Sequence, residues 1–312
     1  MNSFPFQYDS GLKLTGGVLG FDRVGPGLSF ISSAEVSGAW RVRKTICSEM
    51  TARLLSVVRR EFRPLVLPFG REFDVGPLRV AIYPAGDFPG SAAIVVESGG
   101  KRMIYCAGRP SDPDKLPQCD LIAAAVTSID AVDPVVAAGS LVKSVRTALS
   151  VGLVPVIRCN PIGAAISVCS ALSAAGIPVK VHRGVDKFAR IWRVNGFDAG
   201  SAATYSGGVA RGFAIVLPAH SVKNSIGNTI SNPWRICVVR AGSSEDCMAD
   251  ADETITLPGA LSLSGLQDLV KSVGAGQVVL TGEGAGFCGR SMSASGLKTT
   301  VFDPHNQFDL LL

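Results

Sequence analysis

The sequence predicts an α/β protein in which a strand-rich region is interrupted by an inserted domain of alternating strands and helices. Three observations carry this reading. Up to residue 133 the chain holds short strands between glycine and proline turns, with a single clear helix. From Pro134 the rhythm becomes helix, strand, helix, strand, as in an open domain with a parallel sheet. From about residue 251 the first style returns. The expected domains are therefore 1–133 with 251–312, and an insertion at 134–250.

The elements follow in order. Apolar and polar residues alternate in 11–22 around Gly16-Gly17, which predicts a hairpin, and 27–32 reads as a short strand before the loop SSAEVSGA. Ser48 N-caps a helix to about Phe62, with Met50, Leu54, Val57, Val58 and Phe62 on the helical period. Strands are expected near 63–67, 73–75, 78–83, 92–97 and 102–106, and at 120–125, which is almost purely apolar. In the insertion, Pro134 opens a helix to about Val151, followed by a strand at 154–158. A helix at 162–175 closes on Gly176. A strand at 179–182, a helix at 185–195 and strands at 213–217 and 235–240 complete it, with the Gly/Ser/Ala-rich stretch 198–211 as a connector. A helix at 263–272 and strands at 277–280 and 299–302 end the chain.

Composition narrows the class. Hydrophobic residues make up 47% and charged residues only 18%, with mean hydropathy +0.32, a balance that points to much buried or partner-covered surface. No apolar run reaches the roughly 18 residues that a membrane span needs; Lys143 and Arg146 interrupt the nearest, 135–157. The eight cysteines form no C-x-x-C pair and several sit in apolar runs, so they read as small buried hydrophobes of a reducing, intracellular compartment. MNSFPFQYDS lacks a basic segment followed by an apolar one, so no secretory signal is expected, and it lacks the Arg-rich look of a mitochondrial presequence. The net charge of +5 permits nucleic-acid contact without demanding it. Its densest focus is Arg41, Arg43, Lys44, Arg53, Arg59, Arg60 and Arg63, which reads either as a solvated helix face or as a nucleic-acid contact patch.

Catalytic chemistry has little to rest on. The three histidines, His182, His220 and His305, share no ligand spacing, and each reads as a solvent-facing or hydrogen-bonded loop residue. With so few bases, neither a serine nor a cysteine nucleophile has a partner. There is no G-x-x-x-x-G-K-[ST] phosphate loop, and the alternating glycines of 282–286 are weak evidence alone. Residues 225–234 read as a surface loop.

One ordered set of short motifs is informative: Thr51-Ala52-Arg53-Leu54-Leu55, Leu67-Pro68-Phe69-Gly70, Leu78-Arg79-Val80, Pro84-Ala85-Gly86, Gly90-Ser91-Ala92, Glu97 and Gly100-Lys101-Arg102. In this order they resemble the β-CASP branch of the metallo-β-lactamase superfamily, and more closely its short messenger-RNA 3′-end processing and DNA-ligase-associated exonucleases. The resemblance is strongest over 40–110, fair over 150–197 and weak from 198. It implies an αββα metallo-β-lactamase sandwich with an inserted β-CASP α/β domain. It also implies two metal ions, usually zinc, that activate water for attack on a phosphodiester.

The ligand positions implied by the resemblance are not filled with ligands. Its His-x-His-x-Asp-His loop falls on Ser33, Glu35, Ser37 and Gly38, and its next histidine on Asp87. The bridging aspartate falls on Gly108, and the acid after the strand at 121–124 on Ala125. The Ser-x-His-Ala-Asp motif falls near 261–265, LSLSG, with leucine for the proton-donating histidine. The last histidine falls on Thr281 of Thr281-Gly282-Glu283, and the glycines that follow read as a relaxed former active-site loop. Glu35 and Asp87 do not make a binuclear zinc site; a weak Mg²⁺ or Ca²⁺ site is the most they offer. The expectation is a pseudoenzyme with no catalytic, cofactor or metal residue. It would serve as a scaffolding subunit of an RNA-processing or RNA-containing assembly, beside other proteins such as an active β-CASP paralogue or a large ribonucleoprotein. The alternative is nucleic-acid binding without cleavage through the basic segment 41–63, beside the former cleft. A nuclease with an atypical site is the least favoured.

Overall fold

The structure is a computed structural model that describes residues 4–8, 11–16, 18–86, 89–128, 130–219, 229–243 and 246–302. The fold is mixed α/β, with three β-sheets and six α-helices among the described residues. Two compact units are formed, Met1–Ala131 with Gly259–Leu312, and Val132–Pro258.

The first unit holds two sheets. β1 (Phe6–Tyr8), β2 (Leu12–Leu14), β3 (Gly20–Phe21), β4 (Leu28–Phe30), β5 (Lys44–Cys47) and β6 (Leu65–Val66) lie side by side in chain order. The turn at Gly16 joins β2 to β3 as an antiparallel hairpin, Leu12 opposite Phe21. β3 to β6 are parallel, and helix α1 (Glu49–Val58) is the crossover from β5 to β6. Ser48 caps α1 by accepting a hydrogen bond from the Thr51 amide. The helix stops at Val58 rather than Phe62, because Arg59 is already extended (φ −134°, ψ 106°) and Pro64 holds the segment ahead of β6 out of the helix.

The second sheet runs β19 (Lys298–Val301), β18 (Gln277–Thr281), β11 (Leu121–Ala125), β10 (Lys101–Cys106), β9 (Ala92–Ser98), β8 (Leu78–Pro84) and β7 (Glu72–Val75). Its strands are apolar on both faces for a visible reason. Ile94, Val96, Met103, Tyr105, Leu121 and Val279 join one buried cluster with Leu12, Phe21, Phe30 and Ile46 of the first sheet. Their neighbours Val95, Ile104, Ile122, Val278 and Leu280 join another with Leu266 and Leu269 of helix α5 (Leu263–Val273) and Cys288 and Met292 of helix α6 (Ala285–Ala294). Successive side chains point to opposite faces, so a strand covered on both sides reads as a continuous apolar run.

The second unit is a wholly parallel sheet. Its order is β14 (Ala202–Tyr205), β13 (Val179–His182), β15 (Ala214–Pro218), β12 (Val154–Cys159), β16 (Pro233–Arg240) and β17 (Glu253–Leu257). Helices α2 (Pro134–Ser150), α3 (Ala164–Ala174) and α4 (Arg183–Val194) supply crossovers. Asp133 caps α2 through the amides of Val135 and Val136.

Four expectations need correction. The supposed connector contains β14, whose small side chains hide a strand held by its pairing with β13. The return to the first unit comes at Gly259 rather than 251, since β17 pairs with β16. The glycines at 282–286, expected to form a loop, instead run into α6, whose first turn includes Gly286. Finally, Cys237 and Cys247 are joined in a disulfide, because the 3-10 turn Asp246–Asp250 folds back to bring their Cα atoms to 5.7 Å. The other six cysteines are free and buried.

His182 caps α4, its Nδ1 accepting from the Gly184 amide at 3.0 Å. Burial first, and the Arg183 cation second, push its pKa below 6.5. The unfolded chain therefore takes up a proton more readily, and the neutral cap's contribution is complete above pH 6.5 and lost as pH falls towards the folded pKa. His182→Ala is expected to cost about 1 kcal/mol at pH 8 in urea unfolding, with the difference from the native chain shrinking below pH 6.5.

Candidate functional site

Functional groups in α/β sheets gather where parallel strands end. In the first unit β10, β11 and β18 run in parallel, and β8 runs with them across the antiparallel β9, so their carboxyl ends share one edge. β4 and β5 of the first sheet end at this edge too. The Ser32 carbonyl accepts from the Ala92 amide at 2.8 Å, and the Ser48 and Thr51 hydroxyls donate to the Gly90 carbonyl at 2.5 and 2.9 Å. The loops after these strands carry nearly every position to which the family resemblance assigns a metal ligand or proton donor.

Backbone fills the centre of this edge. Ala85 bridges to Pro110, and the Gly86 amide donates to the Arg109 carbonyl at 2.7 Å. A Cβ placed on Gly108 would lie 2.9 Å from the Gly86 Cα, closer than real Cβ atoms approach other atoms. Gly90 is similarly confined: at φ +92° its Cβ would meet Met50 Cβ at 2.7 Å and the Thr51 nitrogen at 2.9 Å. The main chain therefore occupies the space a carboxylate at 108 would need.

The remaining positions are engaged elsewhere. Leu263 begins α5 and packs on the apolar cluster beneath it. Glu283 is tied down by the Thr127 hydroxyl, the Ser128 amide at 3.1 Å and the Ser128 hydroxyl at 2.9 Å. These bonds, the one from Thr127 foremost, hold its carboxyl below the usual range. Gly284 permits this contact, since a Cβ there would lie 2.1 Å from the Thr127 carbonyl carbon. Glu35 is half-buried on its loop, where its amide donates to the Ser33 hydroxyl. Asp87, His220 and His305 lie outside the described residues. Among the described residues no three His, Cys, Asp or Glu side chains converge to hold a metal ion. The described residues do not fit a binuclear metal centre.

One polar residue here escaped the sequence reading. Asp22, which follows β3, is partly buried at φ +48° and accepts from the Ser32 amide (2.7 Å), the Ser32 hydroxyl (2.6 Å) and the Tyr105 hydroxyl (2.9 Å). It fixes the start of the loop at 31–38 and links the two sheets. Burial raises its pKa in spite of the three donors, and the Asp22 charge in turn helps burial push the Tyr105 hydroxyl far up. The available signal was a lone acid directly after an apolar strand.

The basic cluster lies elsewhere. α1 starts at the carboxyl end of β5 and carries the chain back to the start of β6, so Arg59, Arg60 and Arg63 stand at the amino ends of those strands, with Arg43 and Lys44. The Arg59 guanidinium reaches the Trp40 carbonyl at 3.4 Å, which places Arg41 there as well. Arg53, midway along α1, pairs with Glu49 at 2.6 Å. The ten residues of α1 span about 15 Å, so most of the cluster stands at the opposite end from those loops, which corrects the expectation of a patch beside the former cleft.

No protein-family model matches the sequence, and no curated protein does. Among solved structures, the chain is similar to a protein of unknown function from Enterococcus faecalis V583. The TM-score is 0.54 at 13% identity, over 81% of this chain and 74% of that one. At this identity the likeness shows a shared fold alone.

Because its folded pKa lies above 3.8, the contribution of protonated Asp22 is present below pH 3.8 and lost as pH rises through the folded value. Asp22→Asn keeps an acceptor, tolerates the left-handed backbone and removes the buried charge. It should unfold at no lower urea than the native chain at pH 8 and lose that part of the pH dependence. Asp22→Ala leaves the Ser32 and Tyr105 donors unpaired and should cost about 3 kcal/mol.

Proposed function

We propose that this chain is a catalytically inactive relative of the metallo-β-lactamase/β-CASP nucleases that acts as a structural subunit of an RNA-processing or RNA-containing assembly. The motif order from Thr51 to Arg102 supports the relationship. So do the two facing sheets with α5 and α6 outside the second, an arrangement compatible with an αββα sandwich, and a parallel-sheet unit interrupting the chain at Val132–Pro258. The observation that carries the inactivity is the backbone at Gly86, which stands where a side chain at 108 would have to go. A nuclease of this kind needs that carboxylate to bring two metal ions together. An apolar composition, 47% hydrophobic against 18% charged, suits a protein that buries surface against partners.

Zinc analysis and a single-stranded RNA cleavage assay test the inactivity. The expected outcome is zinc far below one ion per chain and no cleavage above a heat-treated control; near-stoichiometric zinc with cleavage would overturn it. Gly108→Asp should not restore metal binding, and should destabilise the fold by about 2 kcal/mol through overpacking. The scaffolding role is tested by native purification from the source organism. Recovery in one complex with stoichiometric, identified subunits is expected, and elution as a lone monomer would count against the role.

A further inference from the structure

We propose that the amino-end edge of β5 and β6 is a docking site for the phosphate backbone of single-stranded nucleic acid, separate from the former catalytic edge. Residues 40–63 hold seven cations and two carboxylates, an excess equal to the net +5 of the entire chain. Topology focuses most of them. The parallel register that pairs Ile46 with Leu65 sets Lys44 alongside Arg63, and Arg59 bonds to the Trp40 carbonyl.

Arg53 apart, these charges have no carboxylate partner among the described residues. Among the described residues Arg43, Lys44 and Arg60 have no carboxylate partner, while Arg59 and Arg63 bond only to main-chain carbonyls. Cations of the second sheet are treated differently: Arg79 faces Glu72 and Asp74, Lys101 pairs with Asp120, and Arg102 with Glu97.

The chemistry favours a nucleic acid over an acidic protein. Six of the seven cations are arginines, whose planar guanidinium forks suit phosphate oxygens. Trp40 is 37% exposed and bears the Arg41 guanidinium 4.9 Å from its ring centre, a platform on which an unpaired base can stack. A protein interface needs an apolar centre; Val42 and Phe62 are buried, and the exposed apolar side chains here, Trp40, Val58, Leu65 and Val66, are outnumbered by the seven cations. The proposal does not depend on the inactivity argued above, because the two edges lie at opposite ends of β5.

Fluorescence anisotropy with labelled oligouridylate on the full chain tests it, between about 50 and about 200 mM salt. Binding should weaken as salt rises. The triple variant Arg43→Glu, Lys44→Glu, Arg60→Glu should bind at least about tenfold more weakly, with a salt slope shallower by about 2. Arg211→Glu, Lys271→Glu, Arg290→Glu, an equal change of charge on exposed residues elsewhere, should bind as the native chain does. Trp40→Ala should weaken binding by about fivefold or more with the slope retained. No binding at low salt, an unaffected triple variant, or equal competition by polyglutamate of matched charge would overturn the proposal. An unchanged Trp40→Ala would overturn the single-strand assignment.

Discussion

Burial of the second sheet on both faces is the constraint to which the larger unit answers. One face meets the first sheet and the other meets α5 and α6, so β9, β10, β11 and β18 have almost no position at which a polar side chain is free of cost. An unpaired buried polar group costs roughly 1–3 kcal/mol. The polar residue admitted between the two sheets, Asp22, arrives with three donors already in place. Polar chemistry is thereby pushed to the strand ends, where loops can reach water. The loops after β4, β8, β10, β11 and β18 accordingly carry nearly every position to which the family resemblance assigns a ligand.

Those loops now bond to one another. Ser48 and Thr51 are spent on the Gly90 carbonyl, and Glu283 on Thr127 and Ser128. Each is the kind of residue that could have faced a ligand, and each instead joins one strand end to the next. The edge behaves as part of the scaffold. An excess of positive charge gathers at the other end of β5, where Arg43, Lys44 and Arg60 have no carboxylate partner among the described residues.

Much of the fold was legible because it follows from local rules. Ser48 ahead of a helical apolar period, Pro134 at a helix start and the apolar run at 121–125 each have one straightforward reading, and the structure follows them. What escaped depended on non-local packing. β14 is built of Ala-Ala-Thr-Tyr and has no apolar pattern of its own; its partner β13 makes it a strand. The run Glu253–Leu257 carried the β-branched signal of a strand, but nothing in the chain said which sheet would take it. α6 is disguised by glycines, and Gly284 at its start is needed for the close approach to Thr127. The location of the basic cluster was misread because sequence proximity to the motif at 51–55 hid the fact that α1 runs away from the site. Asp22 was missed because a buried carboxylate declares itself only through donors brought from Ser32 and Tyr105.

The contact between Gly86 and Gly108 also bears on reversibility. A lost histidine on an open loop can return by one substitution, because the space it left remains. Here the volume beside Gly108 is held by main chain, the Gly86 and Ala85 amides bonding to the Arg109 and Ser91 carbonyls. An aspartate arising at 108 would displace that backbone before any other ligand could reward it. On the proposed ancestry, the intermediate sequence is worse than either endpoint, and the site sits behind a ratchet of packing.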